Sequence, residues 1–463
     1  MQPRPITTAK RIGIFLGLCW LYTCIHLDRQ ILGILAESVK SELKLSDAAL
    51  GALTGSAFSI VYALLGLHFG RLADSRDRLL LVRIGACIWS LASIGAAFAP
   101  NYSFLVVGRA GVAVGEAIAT AAAISLMSEL AGDRYLARAS SGFFACAFLG
   151  AGLAAIAGGH IVHVFRDSTY LAGWRAGLVM AGIPGLLGVI YLSAFRFKDR
   201  TTAHRQWTMG SSEVILLLGA VMAVILQMSL APNQGVPAAL LLACVAAGWW
   251  ASRLRVSDHD SFRASFGNAA FRVLLTAFAA VLFMDFAAFF WLIPFAQRRY
   301  GVSVQAVGTQ LGTLIVLGGM AGSAVGGFSA DRWRRASPAG RVWTAMIAVL
   351  LETGAIVVAI SQQRYDGFMA AVSVCCLASG GWTGITAALG MDLVPAPKRG
   401  TAIATYFLVT TLLGPGLGAW AAGAFGDVFG LARSLALCAG IGFLSLLAFA
   451  RLGRTMLRGI SLR

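Results

Sequence analysis

Gly70-Arg71-Leu72-Ala73-Asp74 and Gly327-Phe328-Ser329-Ala330-Asp331 stand 257 residues apart, and each closes an apolar run. The same offset of 257 carries Asp28, an acid inside the first apolar run, onto Asp285, an acid inside the first run of the second half. Three coincidences at one offset indicate a duplicated unit. Around these anchors a span length of about 20 residues divides the chain. Apolar segments fall at 12–37, 47–70, 79–99, 102–130, 139–163 and 174–195, then two shorter runs at 213–231 and 236–252, then six more at 270–296, 304–330, 341–361, 367–394, 399–425 and 431–452. The pattern predicts an all-α membrane protein of two six-helix bundles, 1–198 and 269–463. Between them a linker, 199–268, carries a helical hairpin at 213–252, which leaves both halves in their original orientation.

Composition agrees. The 463 residues are 58% apolar and only 12% charged, with mean hydropathy +0.78, where a soluble domain carries roughly 25% charge. Too little polar surface exists to cover the chain in water, which excludes a soluble enzyme and a disordered chain. The 37 Lys and Arg against 20 Asp and Glu read as topology rather than nucleic-acid binding. With the N-terminus in the cytoplasm, 27 basic residues fall on that side and 8 on the other, leaving Arg29 and Arg109 inside segments. That bias is the one the positive-inside rule expects, and an even number of spans returns the C-terminus to the cytoplasm of a cell (inner) membrane. The eight cysteines all lie in apolar stretches, without the spacing of a disulfide frame or metal site. The first run continues through Asp28 and Arg29 without a small-residue cleavage site, so it is expected to remain as a span.

Ionisable groups inside spans cost about 2.5–3.5 kcal/mol each on insertion scales and by default face a cavity or a partner. Six stand well inside: Asp28, Arg29, Arg109, Glu116, Asp285 and Glu352. Arg109 and Glu116, seven residues apart, share one helical face with Ala113 and Thr120. Asp28 and Arg109 are placed to meet, since the first and fourth spans run in opposite directions. Loss of water favours a neutral carboxyl and a nearby Arg favours the ionised form. An Arg moving between Asp28 and Glu116 would therefore load and release a proton; a static ion network is the bland alternative. Tyr22, His26 and Arg29 form a polar stripe on the first helix, and Asp285 sits among Phe283, Phe286, Phe289, Phe290 and Trp291. Glu352 matches no acid in the first half and is expected only to bond a neighbouring helix. Gly70, Asp74 and Arg78, with the recurrence at Gly327, Asp331 and Arg332, suggest an interhelical latch. Gly414-Pro415-Gly416 interrupts the eleventh main span. The six histidines never form an i, i+4 pair, so no metal is expected. No nucleophile elbow or phosphate loop appears, so neither enzymatic activity nor a cofactor is expected. Ion-gradient transport of a small solute remains.

At these residues the chain resembles the major facilitator superfamily over both halves. Within it, Asp28-Arg29 and Arg109-Ala110-Gly111-Val112-Ala113-Val114-Gly115-Glu116-Ala117 resemble the spinster-type lipid transporters, with weaker support from Gly173-Trp174-Arg175. Ser75, Asp77, Ile25 and His26 depart from the usual patterns. The resemblance implies alternating access by a monomer, Asp28 and Glu116 as the protonation pair, Arg29 as partner, and an amphiphilic lipid-like or anionic substrate. Organic-anion symporters of the same superfamily, which share the Asp-Arg-Gln of Asp28-Arg29-Gln30, are the alternative; a receptor or scaffold that moves no solute ranks below both. Thiol labelling of single cysteines introduced between Arg196 and Ser212 should place that stretch on the same membrane face as the N-terminus. Labelling from the opposite face would overturn the six-two-six topology.

Overall fold

The computed structural model describes residues 7–165, 168, 172–195, 211–230, 235–257, 259–395 and 399–458, with some side chains inside helices, Asp74 among them, left undescribed. The start of the linker and the boundary at 198 lie outside the described residues. Among the described residues, twelve helices are long and apolar enough to cross a membrane. In the first half they are α1 Thr8–Ile34, α2 Asp47–Gly66, α3 Arg78–Ala96, α4 Tyr102–Ala131, α5 Ala139–Val164 and α6 Gly173–Ser193. Two further helices follow, α7 Ser211–Leu230 and α8 Gly235–Ser257. The second half comprises α9 Ala269–Tyr300, α10 Val304–Ala336, α11 Gly340–Ser361, α12 Tyr365–Gly390, α13 Ala404–Phe429 and α14 Leu431–Leu457. No strand occurs among the described residues. In hydrocarbon each backbone N–H and C=O must be paired within the protein, which makes the helix the default for apolar runs of this length. Where the helices begin, side chains cap them: Ser46, Asp77, Asn101, Asn268 and Ser303 accept from backbone N–H groups of the first turns of α2, α3, α4, α9 and α10.

Two expectations about helix boundaries change. Helical conformation runs without a break from Tyr102 to Val164, yet α4 and α5 are separate spans. Ser140 Oγ lies 3.8 Å from Met127 Sδ, whereas 13 residues of straight helix would separate them by about 20 Å. The chain therefore reverses between them. Helix α12 contains a turn at Gly384 and Ile385, between Thr383 and Thr386. As expected, α13 is broken at Gly414. Facing that break, α2 widens by a π-turn over Ala52–Ser56, and a side chain of that turn satisfies a carbonyl at the break: Ser56 Oγ donates to Gly416 O at 2.5 Å. Their approach needs Gly51, where a Cβ would stand 2.3 Å from Ala419 O.

Contacts between the halves gather at the end where α1 finishes. Arg298, at the end of α9, pairs with Asp47 at 2.6 Å and Glu37 at 2.6 Å, and Lys40 also binds Asp47. Asp427 of α13 accepts from the backbone N–H groups of Asp47 and Ala48, at 2.9 and 2.8 Å, so an acid of one half caps a helix of the other. Among the described residues, the ion pairs that join the two halves all lie at this end, and none joins them at the opposite end, where the N-terminus lies. The protein is closed at one end and open at the other. The hairpin α7–α8 packs on α2 and α4, with Ser103 Oγ donating to Ser229 O at 3.2 Å. Ser56 is fully buried at the closed end. In a cysteine-depleted background, Ser56→Cys should resist aqueous maleimide, and adding Arg298→Ala should raise its labelling. Loss of a partly exposed pair worth about 1 kcal/mol should give a roughly fivefold increase. Unchanged labelling would show that the ion pairs do not hold this end shut.

Candidate functional site

Helix α4 presents two chemically distinct faces. Gly108, Gly111 and Gly115 recur at helical spacing and lie against Ala96, Ala92 and Trp89 of α3; a Cβ on Gly115 would stand 2.3 Å from the backbone of Trp89. That close approach turns Arg109 and Glu116, about a third of a turn around the helix, towards α1. It also brings Ser93 of α3 within reach of Asp28.

The charged residues expected from the sequence meet in two pairs between α1 and α4. Arg109 Nη1 is 2.9 Å from Asp28 Oδ2, and Arg29 Nε is 2.6 Å from Glu116 Oε2. Ser93 Oγ donates to Asp28 Oδ1 at 2.5 Å. Both carboxylates and Arg109 are buried, whereas the Arg29 side chain is 24% exposed, which makes it the member of the quartet open to solute. Its guanidinium lies over Phe58 at 4.9 Å and Tyr62 at 4.8 Å, and Arg109 also lies over Phe58, at 5.2 Å; such contacts contribute about 0.5–2 kcal/mol. Among the described residues, Arg29 Nη2, Glu116 Oε1, Arg109 Nε and Thr120 Oγ1 are buried without a partner. Breaking one buried pair by removing its partner costs about 3–5 kcal/mol, so any rearrangement must exchange partners.

The remaining candidates divide. His26 bonds back to Tyr22 O at 3.0 Å, and Tyr22 stacks on Phe143 with ring centroids 4.2 Å apart; both brace α1 against α5 beside the quartet. In the second half, Asp285 accepts from Ser379 Oγ at 2.9 Å, and the buried Glu352 accepts from Trp382 Nε1 at 2.6 Å. Glu352 bonds a neighbouring helix as expected, and its donor Trp382 stands three residues from Ser379, the donor to Asp285, a meeting that its lack of a first-half counterpart concealed. Of the aromatic residues around Asp285, Phe283, Phe290 and Trp291 are buried in packing, and Trp291 Nε1 donates to Ala419 O at 2.9 Å. Phe286 and Phe289 alone of these five are partly exposed.

At the second copy of the Gly-x-x-x-Asp pattern, the ion pairs include Asp331 but not Arg332. Asp331 pairs with Arg341 at 2.9 Å, and Arg341 reaches Asp392 at 2.9 Å. Arg332 is exposed and forms no ion pair among the described residues, because it follows Asp331 on the helix and points away from α11. In the first half Arg78 binds Glu129 at 2.6 Å and Ala73 O at 3.2 Å, while the side chain of Asp74 is outside the description. Sequence patterns missed Ser93, the Phe58 and Tyr62 platform, and the Arg341–Asp392 pair. Ser90 and Ser93, the two hydroxyls in the apolar second half of α3, were the available signal for the first.

The sequence profile of the Major Facilitator Superfamily matches residues 18–418. The chain is 26% identical over 341 residues to an MFS-type efflux pump of Mycolicibacterium smegmatis, covering 73% of this chain and 66% of that one. It is 22% identical to a probable L-galactonate transporter of Escherichia coli, covering 70% and 63%. It is also 30% identical to protein spinster homolog 1 of Mus musculus, covering 39% and 33%. The matches thus span less than two thirds of the length of these relatives. In fold, it is similar to a bacterial homolog of the human lysosomal transporter spinster in an inward-facing, unoccupied conformation, with a TM-score of 0.78 at 19% identity over 98% of this chain and 99% of that one. A profile match of that extent, on a chain whose helices repeat in order at the offset seen in its sequence, assigns the protein to an integral-membrane family: the chain belongs to the Major Facilitator Superfamily of transporters.

Proposed function

We propose that the protein is a proton-coupled secondary transporter for an amphiphilic or otherwise anionic organic solute, working by alternating access between halves 1–198 and 269–463 with both termini cytoplasmic. The Arg29–Glu116 pair carries this reading. Arg29 is the exposed partner of a buried acid and lies where an anionic head group in the open cavity can reach it. When Arg29 turns to such an anion, Glu116 loses its cation and takes up a proton; when the anion leaves, Arg29 returns and the proton is released. Arg109 and Ser93 hold Asp28 beside this exchange, so the second acid can receive an arginine in turn. Binding of anion and proton thereby become one event, and a state with both sites empty or both filled is the one free to switch.

Phe286 and Phe289 of α9 are partly exposed apolar side chains next to Asp285, which supports an amphiphile with its head group at Arg29 and its tail on the second half. The likeness to an L-galactonate transporter favours a second reading, a small sugar acid held by charge and hydroxyl contacts alone.

In proteoliposomes, Glu116→Gln and Asp28→Asn should each lower pH-driven uptake of the best solute found among lysolipids, sphingoid phosphates and hexonates by more than tenfold, while thermal shifts still register binding. Uptake with wild-type pH dependence in either variant would exclude that acid as a carrier. Phe289→Arg separates the two solute classes. It should weaken a lysolipid by more than about 1.4 kcal/mol, tenfold in affinity, and spare a hexonate. Unchanged lysolipid binding, with the hexonate the better wild-type solute, would favour the sugar-acid reading.

A further inference from the structure

Asp285 and Glu352 form a carboxyl pair in the membrane-spanning part of the second half without a cation. Glu352 has no solvent exposure, its Oε2 accepts from Trp382 Nε1 at 2.6 Å, and its Oε1 has no donor among the described residues. Asp285 Oδ1 accepts from Ser379 Oγ at 2.9 Å, and Ser379 and Trp382, three residues apart on α12, bring the two carboxyls to one face of that helix. No ion pair among the described residues includes either acid. The titratable groups facing them are the thiols of Cys375 and Cys376 on α12. Helix α14 meets the neighbouring Met284 and Thr353 through Gly442.

The repeat shows what has changed. In the first half, Asp28 of α1 receives Ser93 from α3 and Arg109 from α4. In the second half, Asp285 of α9 receives Glu352 from α11, the helix equivalent to α3, and Ser379 from α12, the helix equivalent to α4. The fourth helix of the half thus supplies a serine where the first half has an arginine, and the third an acid where the first half has a serine, from positions that do not correspond at the offset of 257. Four carboxyl oxygens then share two neutral donors, the Ser379 hydroxyl and the Trp382 indole. Two adjacent carboxylates cannot both remain ionised in a water-poor site without a cation. A proton on one carboxyl supplies the missing donor to the other.

We infer that Asp285 and Glu352 bind one proton between them and exchange it with the cavity through the partly exposed Asp285, as a proton site separate from the Asp28–Glu116 quartet. Infrared spectroscopy of the full chain in sodium-free liposomes, without solute or gradient, tests this independently of transport. A protonated-carboxyl C=O band should be present, shift on transfer to D2O, persist in Glu116→Gln, change frequency in Asp285→Asn and in Glu352→Gln, and disappear in the double variant. The amide of Glu352→Gln can keep the Trp382 bond. An unaltered band in the double variant, or its absence from the wild type, would overturn the inference. So would loss of the wild-type band on adding sodium ion at constant pH, since the pair would then be a monovalent-cation site. That last measurement needs no variant to fold.

Discussion

A carboxylate removed from water needs a cation, hydrogen-bond donors or a proton, and the helix arrangement of this protein follows from how each buried acid meets that need. Asp28 and Glu116 take arginines, so α1 must lie against α4 along the stretch that presents Arg109 and Glu116. Those arginines need a surface that tolerates charge, and Phe58 and Tyr62 of α2 provide it. Asp285 and Glu352 have neutral donors and one another. Two halves of one repeat thus solve the same problem differently, and among the described residues only Asp28 and Glu116 of these four acids are paired with arginines.

The two ends of the molecule differ in kind. At the closed end, glycines let α2 and α13 approach to backbone contact, and the Ser56 hydroxyl of α2 donates to the Gly416 carbonyl beside the break in α13. Around that contact stands a ring of charges, Glu37, Lys40, Asp47, Arg298 and Asp427, drawn from both halves. Partly exposed pairs of this sort are individually weak because water competes for them. Closure held by tight packing plus weak, replaceable pairs is reversible, as a membrane carrier requires. At the open end the charge clusters, Arg78 with Glu129 and Arg341 with Asp331 and Asp392, lie within one half each. They brace helices of the same bundle.

Spans, helix order, the duplication and the pairing of Asp28 with Arg109 were all legible in the sequence. Apolar length dictates a helix in hydrocarbon, a buried charge requires a partner, and opposite helix directions left few candidates. Position along one helix also put Arg109 and Glu116 on one face, a property of the 3.6-residue period alone. What only the tertiary structure decided was which side chains of other helices complete each site. Ser93, Phe58 and Tyr62 join the quartet from α3 and α2, Glu352 comes to Asp285 although nothing in the first half foreshadows it, and Arg341 takes the place expected for Arg332. These depend on the rotation and depth of one helix against another. Glycine-mediated contacts set that rotation and depth, and a single Cβ would shift them by more than an ångström, so they arise from packing between segments distant in the chain rather than from any local pattern.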